Sequence, residues 1–438
     1  MKMQLQNRNA RVALNSLILA FIICLPLEGV LRKWLLNGIQ QPLLFIRDPV
    51  LFAIYGAYLL KIATERTAIP TWFVLWASIA ILAVGLTFLQ AANAGLPPVV
   101  YAVGLRNYIL FVPLMFIIGE CLDERGLRAV INTVLIIAVP IAVLVILQFS
   151  SPVFSPINKG LDETVKGRFL VAQGVVRPYG PFTFVQAQNY FSIFTLACVL
   201  AAVELRQKLG ISSPIIILGA VATIIMGALS GSRTFFVSAA ILILFYCLPG
   251  LVSRDRRKAA ARLAIVGASI GAFIIAFTVI FPKAYSTMSE RQATAEGSEG
   301  SIFARMTSIM TAGVGPAIET APPLGFGLGA GSNVGTAATG VRSWSLGEYD
   351  LPRMINELGP VAGLVAIMIR SGLGLWLLLV AVSAAMRSGN GAALPMAGLA
   401  LILIVSGQVV GQNQVLSFCW LAMGMTLALS RTATSQSR

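Results

Sequence analysis

The sequence predicts an all-α, polytopic membrane protein with about 12 transmembrane helices. Hydrophobic residues make up 57% of the 438-residue chain and charged residues only 11%, whereas soluble domains carry about 25% charged residues. Apolar stretches of about 20 residues, long enough to cross a hydrocarbon core as a helix, recur between short polar breaks. Outer-membrane barrels instead alternate apolar and polar residues in segments of about 10, a pattern that this chain lacks. The composition therefore excludes a soluble enzyme and a barrel.

The predicted spans follow the apolar stretches in order and belong to one integral membrane domain, residues 1–438. They cover residues 12–31, 48–64, 70–90, 101–119, 128–149, 188–204, 212–230, 234–250, 263–282, 355–385, 392–409 and 413–430. The first apolar stretch follows a basic N-terminus but has no small-residue cleavage site, which predicts an uncleaved first span. Two hydrophilic segments are long: residues 150–187, and residues 283–354 between helices 9 and 10.

The positions of the basic residues predict that both termini are cytoplasmic. Lysine and arginine are concentrated in the N-terminus and in the loops after even-numbered spans, most densely at residues 254–262. Cytoplasmic loops carry such an excess, and long loops cross the membrane largely regardless of their charge. This orientation places residues 150–187 and 283–354 on the external face, where we expect the functional residues.

Several kinds of chemistry are excluded or disfavoured by composition. The chain contains no histidine, the commonest metal ligand and a frequent general base. Its five cysteines all lie within or at the edge of apolar stretches, which predicts neither disulfides nor a thiolate metal site. The net charge of +15 is scattered over short loops and lacks the basic stripe that a polyanion binds. We therefore expect no metal, no cofactor and no nucleic-acid partner.

Arg233 is the most informative single residue. It lies in the segment SGSRTFF, residues 230–236, a very short external turn between two apolar spans. Charged side chains in such places are costly and usually functional. The planar guanidinium matches a phosphate or diphosphate group bidentately, which is the function we expect. The alternative is an arginine that extends to lipid phosphates.

The first long loop ends in VRPYGPFTFVQAQNYFS, residues 176–192, which carries Arg177 and a turn rich in proline and glycine. Its aromatic residues are predicted to form a belt at the membrane interface. They are Phe182, Phe184, Tyr190 and Phe191. The alternative is that they line a groove for a carbohydrate or a lipid.

The second long loop contains three distinct segments. Residues 301–320 have apolar side chains near helical spacing and predict an interfacial amphipathic helix that carries Arg305. The glycine-rich residues 322–335 follow no strand and lack a Gly-Lys-Ser/Thr ending, so they predict a flexible or closely packed turn and no nucleotide site. Glu348, Asp350, Arg353 and Glu357 then cluster where the chain re-enters the membrane. This cluster either forms salt bridges or supplies a general base.

Three motifs, taken in this order, resemble a known family. They are Ser232-Arg233-Thr234 at an external turn, Pro-Leu-Gly-Phe-Gly-Leu-Gly within a large arginine-bearing external loop, and Glu357-Leu358-Gly359 at the next span. Together with the span layout they resemble the O-antigen ligase and O-antigen polymerase superfamily of bacterial envelope polysaccharide enzymes. The resemblance covers about residues 170–370, and the N-terminal third matches only in hydropathy.

The resemblance implies a GT-C-like glycosyltransferase of the bacterial inner membrane. Such an enzyme transfers a sugar chain from an undecaprenyl diphosphate carrier to an acceptor hydroxyl at the external face. Arg233 and Arg305 would bind the diphosphate, and Arg177 and Arg353 are the next candidates. The implied partners are a lipid-linked oligosaccharide and the bilayer, with chain-length regulators or export proteins as candidates.

The chain departs from the ligases of this family at one position. Those ligases carry a histidine about eight or nine residues before the Glu-x-Gly element, which here falls near Glu348 and Asp350. A carboxylate could deprotonate the acceptor instead, so the candidate catalytic residues are Glu348, Asp350 and Glu357. This departure favours a polymerase over a ligase that transfers to a lipid or protein acceptor.

Two other functions remain open on the sequence alone. A secondary transporter with 12 helices is favoured by Arg106 and Arg370, which lie within apolar stretches. Against it, the two halves of the chain show no similarity, and polar residues concentrate in external loops and not at the bilayer midplane. The other possibility is a noncatalytic partner in an export complex.

Overall fold

The computed structural model describes residues 2–36, 38–40, 42–161, 175–252, 256–299, 313–340 and 349–434. Within these residues, nine helices are long and apolar enough to cross a membrane. Three further apolar helices, Ser213–Ala228, Arg233–Pro249 and Ala393–Ser406, are shorter and coincide with the other three predicted spans. The prediction of a polytopic, helical membrane protein is confirmed at this level.

The α-helices follow one another with short connections over most of the chain. In chain order they are α1 (Lys2–Val30), α2 (Asp48–Glu65), α3 (Thr71–Ala94), α4 (Pro98–Leu105), α5 (Val112–Cys121), α6 (Glu124–Ser150), α7 (Val185–Leu209), α8 (Ser213–Ala228), α9 (Arg233–Val252), α10 (Arg256–Ile275), α11 (Pro282–Glu299), α12 (Val314–Thr320), α13 (Asn333–Thr339), α14 (Asp350–Leu358), α15 (Pro360–Ser388), α16 (Ala393–Ser406) and α17 (Asn413–Thr434). Single π-helical turns, Leu31–Leu35 and Arg106–Leu110, extend α1 and join α4 to α5.

The bundle has a buried centre and an apolar outer layer. The spans of α7 and α17 are 83% and 89% buried, whereas those of α3 and α10 are 6% buried. Where α17 crosses α5, Gly424 lies against Ile118 and Gly119 against Leu427, so close that a Cβ on either glycine would approach a side chain to 2.7 Å. Small residues at such crossings let transmembrane helices pack tightly. The apolar outer surface of α3 and α10 suits contact with lipid.

The predicted span over residues 355–385 is interrupted in the structure. α14 ends at Leu358 and α15 begins at Pro360, and Gly359 between them has φ +85°. Glycine adopts this conformation readily, and proline has no N–H to continue the hydrogen bonds of a helix. The break separates α14, a short and largely buried helix, from the span of α15.

One end of the bundle collects many of the buried charged side chains. The C-terminal half of α1 and the first turn of α17 meet there through Arg47, which precedes α2. Its guanidinium lies 3.0 Å from a carboxylate oxygen of Glu28 and donates a hydrogen bond to the carbonyl of Asn413 at 3.2 Å. The predicted orientation makes this the external end. The predicted pairing of Glu28 with Arg32 is confirmed at 3.0 Å.

Candidate functional site

Arg233 begins α9, immediately after a tight turn that the serines stabilise. The side chain of Ser230 donates to the carbonyl of Gly227 at 2.8 Å and accepts from the backbone N–H of Ser232 at 3.2 Å. Ser230 and Ser232 are both buried, whereas Arg233 is half-buried. The turn is as short as the sequence predicts, since α8 ends at Ala228. Its hydrogen bonds fix the backbone from which the guanidinium of Arg233 extends.

The first long loop is held by two buried side chains that the sequence analysis did not single out. Lys33 donates from Nζ to the carbonyls of Gly180 at 2.6 Å and Phe182 at 2.8 Å. Gln148 accepts from the N–H of Gly180 at 2.8 Å and donates to its carbonyl at 3.1 Å. Arg177, three residues before this turn, is half-buried. Residues 175–182 are thereby attached to the ends of α1 and α6.

The predicted aromatic belt on this segment is wrong for three of its four residues. Phe182, Tyr190 and Phe191 are 0–3% exposed and belong to the core of the bundle. The rings of Phe182 and Phe418 lie 6.0 Å apart, which joins the loop to α17. Phe184 is half-buried. These rings are buried because most of α7 lies inside the bundle, and Phe182 packs beside its first turns.

The glycine-rich segment forms a closely packed turn around one amide side chain. Gln90 of α3 donates to the carbonyls of Leu324 at 2.6 Å and Glu357 at 2.8 Å, and accepts from the N–H of Leu328 at 2.8 Å. The N–H of Phe326 donates to the carbonyl of Asn356 at 2.7 Å. Of the two predicted possibilities for this turn, flexible or closely packed, the structure has the second. The hydrogen bond from Phe326 to Asn356 holds this closely packed turn against α14.

Glu357 is a fully buried carboxylate at this junction. One oxygen accepts from the hydroxyl of Tyr108 at 2.9 Å and the other from the N–H of Gly331 at 2.7 Å. Burial raises the pKa of Glu357 above the usual value for glutamate, although the positive charge of Arg353 and these hydrogen bonds act in the opposite direction. Glu357 therefore joins α14, the glycine-rich turn and the π-helical turn after α4.

Asp350, the first residue of α14, is also buried and hydrogen-bonded. Its carboxylate lies 2.8 Å from Nη1 of Arg370 and accepts from the N–H of Val410 at 3.0 Å. One helical turn later, Nη1 of Arg353 lies 3.9 Å from the other carboxylate oxygen of Asp350. Arg353 is also buried, and a Cβ on Gly411 would lie only 2.8 Å from its Cζ. Two arginines and one carboxylate thus meet beside residues 407–412.

Residues 407–412, which we name the α16–α17 linker, connect much of this end of the bundle. Asn107 donates to the carbonyl of Val410 at 2.9 Å. Arg106 makes two hydrogen bonds of 2.6 Å to the carboxylate of Asp48 and a third of 2.6 Å to the side chain of Asn413, which follows the linker. Gln414, the second residue of α17, accepts from the N–H of Thr183 at 3.2 Å. The linker thus contacts side chains of the π-helical turn and of α14, and the first turn of α17 contacts the first loop.

The structure brings three of the predicted site residues together on one helix, and two others lie on other elements. Asp350, Arg353 and Glu357 share α14, beside the glycine-rich turn and the α16–α17 linker. Arg233 and Arg177 lie at the start of α9 and ahead of α7. The other two predicted site residues, Glu348 and Arg305, lie outside the described residues, as does most of the predicted amphipathic helix, of which α12 is the described part.

The polar residues of the α16–α17 linker were not identified from the sequence. The run SGQVVGQNQ, residues 406–414, places one serine, two glycines and four amide side chains between two apolar stretches, a dense polar signal for so short a break. Lys33 and Arg47 likewise lie in the polar break between the first two predicted spans. Among the described residues, no group of three His, Cys, Asp or Glu side chains could hold a metal ion.

Comparison with protein-family models and with curated proteins finds no match to this chain. The functional conclusion therefore rests on the residues themselves: their charge, their burial and the order of the three motifs.

Proposed function

We propose that the protein is a membrane glycosyltransferase of the polysaccharide polymerase type. It transfers a glycan from an undecaprenyl diphosphate carrier to a sugar hydroxyl at the external face of a bacterial inner membrane, with both termini in the cytoplasm. The observation that carries this proposal is the buried cluster of Asp350, Arg353 and Glu357 between the glycine-rich turn and the α16–α17 linker. A 12-span, GT-C-like arrangement is part of the same proposal.

The reaction needs cations more than any other group. The acceptor oxygen forms a bond to the anomeric carbon, the bond from that carbon to the diphosphate oxygen breaks, and the acceptor proton passes to a base. Negative charge builds up on the departing diphosphate, and preorganised cations in a site of low dielectric constant stabilise it. Arg233, Arg305, Arg177 and Arg353 are the cations that we assign to the diphosphate. Arginine suits this task because its planar fork binds phosphate oxygens in pairs.

The contacts of the carboxylates distinguish their roles. Asp350 already accepts hydrogen bonds from Arg370 and Val410, and Glu357 accepts from Tyr108 and Gly331. A base must accept the proton of the acceptor hydroxyl, so we assign this step to Glu348. Asp350 and Glu357 hold Arg353 and the turns around it in place.

The ion pairs of the intramembrane arginines support an enzyme over a transporter. Arg106 and Arg370, whose positions in apolar stretches favoured transport, are paired with Asp48 and Asp350. Both pairs adjoin the α16–α17 linker, and each arginine is held by a carboxylate of the protein itself, so neither is left to bind a transported substrate. Transfer to a lipid or protein acceptor, as in a ligase, would use the same cations. The absence of histidine from the chain favours the polymerase.

The proposal is tested by complementing a host from which the gene has been deleted. We expect Arg233→Ala and Arg305→Ala to abolish long-chain surface polysaccharide and to leave carrier-linked single repeats, at unchanged protein abundance. Arg233→Lys should restore only part of the activity, because a bidentate contact is lost. Arg387→Ala is the matched control, since this arginine is exposed in the last turn of α15, at the predicted cytoplasmic end.

Two other results would change the assignment. Full-length polymer that accumulates on its carrier would show ligation and not polymerisation. Polysaccharide of wild-type length and amount in Arg233→Ala or Arg305→Ala would overturn the assignment of these arginines to the diphosphate.

A further inference from the structure

Four aromatic rings form a row on the outer side of the bundle, beside Arg233. Phe236 lies one helical turn after Arg233 on α9. Its ring is 5.5 Å from that of Phe273 and 5.7 Å from that of Phe277, and the latter two rings are stacked 5.7 Å apart. The ring of Tyr285, in the first turn of α11, lies 5.6 Å from that of Phe277. We name these four residues the aromatic row; they connect α9, α10 and α11.

The aromatic row is accessible from the apolar surroundings of the bundle. Its three phenylalanines are half-buried, and Tyr285 is 50% exposed. One or two turns deeper on α9 and α10, Leu244 and Ile270 are 58% and 46% exposed. Only 6% of the α10 span is buried, so its outer face is not covered by the other helices that the structure describes. The row therefore lies open to a molecule in the bilayer.

The polar groups at the external end of the row are cations and one hydroxyl. Arg233 begins α9, and Lys283, which is exposed, lies two residues before Tyr285. Among the described residues, the exposed hydroxyl of Tyr285 has no hydrogen-bond partner. Belts at membrane interfaces consist mainly of tryptophan and tyrosine, whereas three of these four rings are phenylalanines that pack on one another. The surface thus suits an anionic headgroup joined to an apolar tail.

A polyprenyl diphosphate has this composition, and its covalent structure decides where its tail must lie. The first isoprene units are bonded to the diphosphate, so they occupy the membrane-facing surface next to the cations that hold that group. The row begins one turn from Arg233, which we assign to the diphosphate. Rigid rings offer a large apolar area and lose little conformational freedom when a chain packs on them. A tail whose headgroup is already bound meets them at a high effective concentration, an advantage that bulk phospholipid lacks.

We propose that the aromatic row binds the polyprenyl tail of the donor, next to its diphosphate. The inference rests on the proposed function and orients the donor on the molecule. The headgroup lies at Arg233, the first isoprene units pack over Phe236 and Phe277, and the rest of the tail follows α9 and α10 into the bilayer. The donor thereby reaches the site laterally from the membrane, and its tail does not pass through water.

The position of the tail is tested by photocrosslinking. An undecaprenyl diphosphate analogue with a diazirine in the isoprene unit next to the diphosphate is added to the full-length protein in phosphatidylcholine nanodiscs. Crosslinked peptides are then identified by mass spectrometry. We expect crosslinks within residues 233–244 and 270–285, and an excess of unlabelled undecaprenyl diphosphate should remove them. The same excess of phosphatidylglycerol, which is anionic but has two acyl chains, should leave them in place.

Substitutions in the row separate the tail from the headgroup. Phe277→Ala and Tyr285→Ala should each weaken the binding of undecaprenyl diphosphate about 3- to 10-fold, the effect of one aromatic contact. Tyr285 is exposed, so its replacement leaves no buried cavity. Inorganic diphosphate, which has no tail, should bind both variants as it binds wild type, whereas Arg233→Ala should weaken the binding of both ligands. Phe88→Ala is the matched control, the same change at a phenylalanine that is 73% exposed on α3.

The outcomes distinguish this inference from the proposed function. The inference is overturned if the analogue crosslinks only outside residues 233–244 and 270–285, or if phosphatidylglycerol displaces it as well as the unlabelled carrier does. It is also overturned if Phe277→Ala and Tyr285→Ala bind undecaprenyl diphosphate as wild type does while Arg233→Ala binds it weakly; the proposed function then survives. If the wild-type protein binds no undecaprenyl diphosphate, the inference and the proposed function both fail.

Discussion

A methyl group at Gly411 should disable the site through one side chain. A Cβ on Gly411 would overlap Nη1 of Arg353 and lie 2.8 Å from its Cζ. Since nonbonded atoms settle at about 3.5–4.0 Å, Cζ must move by at least about 0.7 Å and the overlapping Nη1 by more. Gly411 has no positive φ, so alanine fits the backbone, and the atom that must yield is the end of a flexible side chain. Gly411→Ala should therefore fold.

The expected loss is large because catalysis depends on position. A displacement of about 1 Å can cost about 100-fold in rate, or about 2.7 kcal/mol of transition-state stabilisation. We expect Gly411→Ala to reduce polymer formation by about this factor in the complemented deletion strain, at normal abundance. Gly267→Ala is the matched control, because a Cβ at that exposed position of α10 would contact nothing within 4 Å. Wild-type polymer from Gly411→Ala would refute the role given to Arg353.

Two further predictions concern the carboxylates of α14. Asp350→Ala leaves the guanidinium of Arg370, whose side chain is only 10% exposed, without its carboxylate and should lower the free energy of unfolding by about 3–5 kcal/mol, measured by titration with a denaturing detergent. The double variant Asp350→Ala/Arg370→Ala should lower the free energy of unfolding by less than the sum of the decreases caused by the two single substitutions. Additive decreases would show that the pair does not interact. Glu357 has a raised pKa, so its protonated form favours the folded state, and its contribution to stability is lost as the pH rises through that pKa. The melting temperature of wild type relative to Glu357→Gln should therefore fall as the pH rises above the usual pKa of a glutamate, and a constant difference would contradict the buried environment of Glu357.

The features that the sequence predicted well depend on neighbouring residues. The short turn that carries Arg233 was evident because a charged residue in a brief break between apolar stretches stands out locally. The pairing of Glu28 with Arg32 follows from four-residue spacing on one helix face. The count of apolar stretches likewise predicted a polytopic helical protein before any contact was known.

The remaining features depend on contacts between distant parts of the chain. Asp48 and Arg106 are 58 positions apart, and Asp350 and Val410 are 60 apart, so no local pattern reveals that they meet. Interfacial and buried aromatic residues have the same composition, and only the central position of α7 decides that Tyr190 is buried. The break at Gly359 was hidden because hydropathy averaged over residues 355–385 does not register one turn.

The central claim is that a diphosphate-linked glycan is the donor. It is tested most directly with purified protein in liposomes that contain carrier-linked repeats extracted from the deletion strain. Wild-type protein should lengthen the glycan and release one undecaprenyl diphosphate for each repeat joined, detected by mass spectrometry, and Arg233→Ala should do neither. Wild-type protein that releases no undecaprenyl diphosphate and leaves the repeats at their original length would contradict the account.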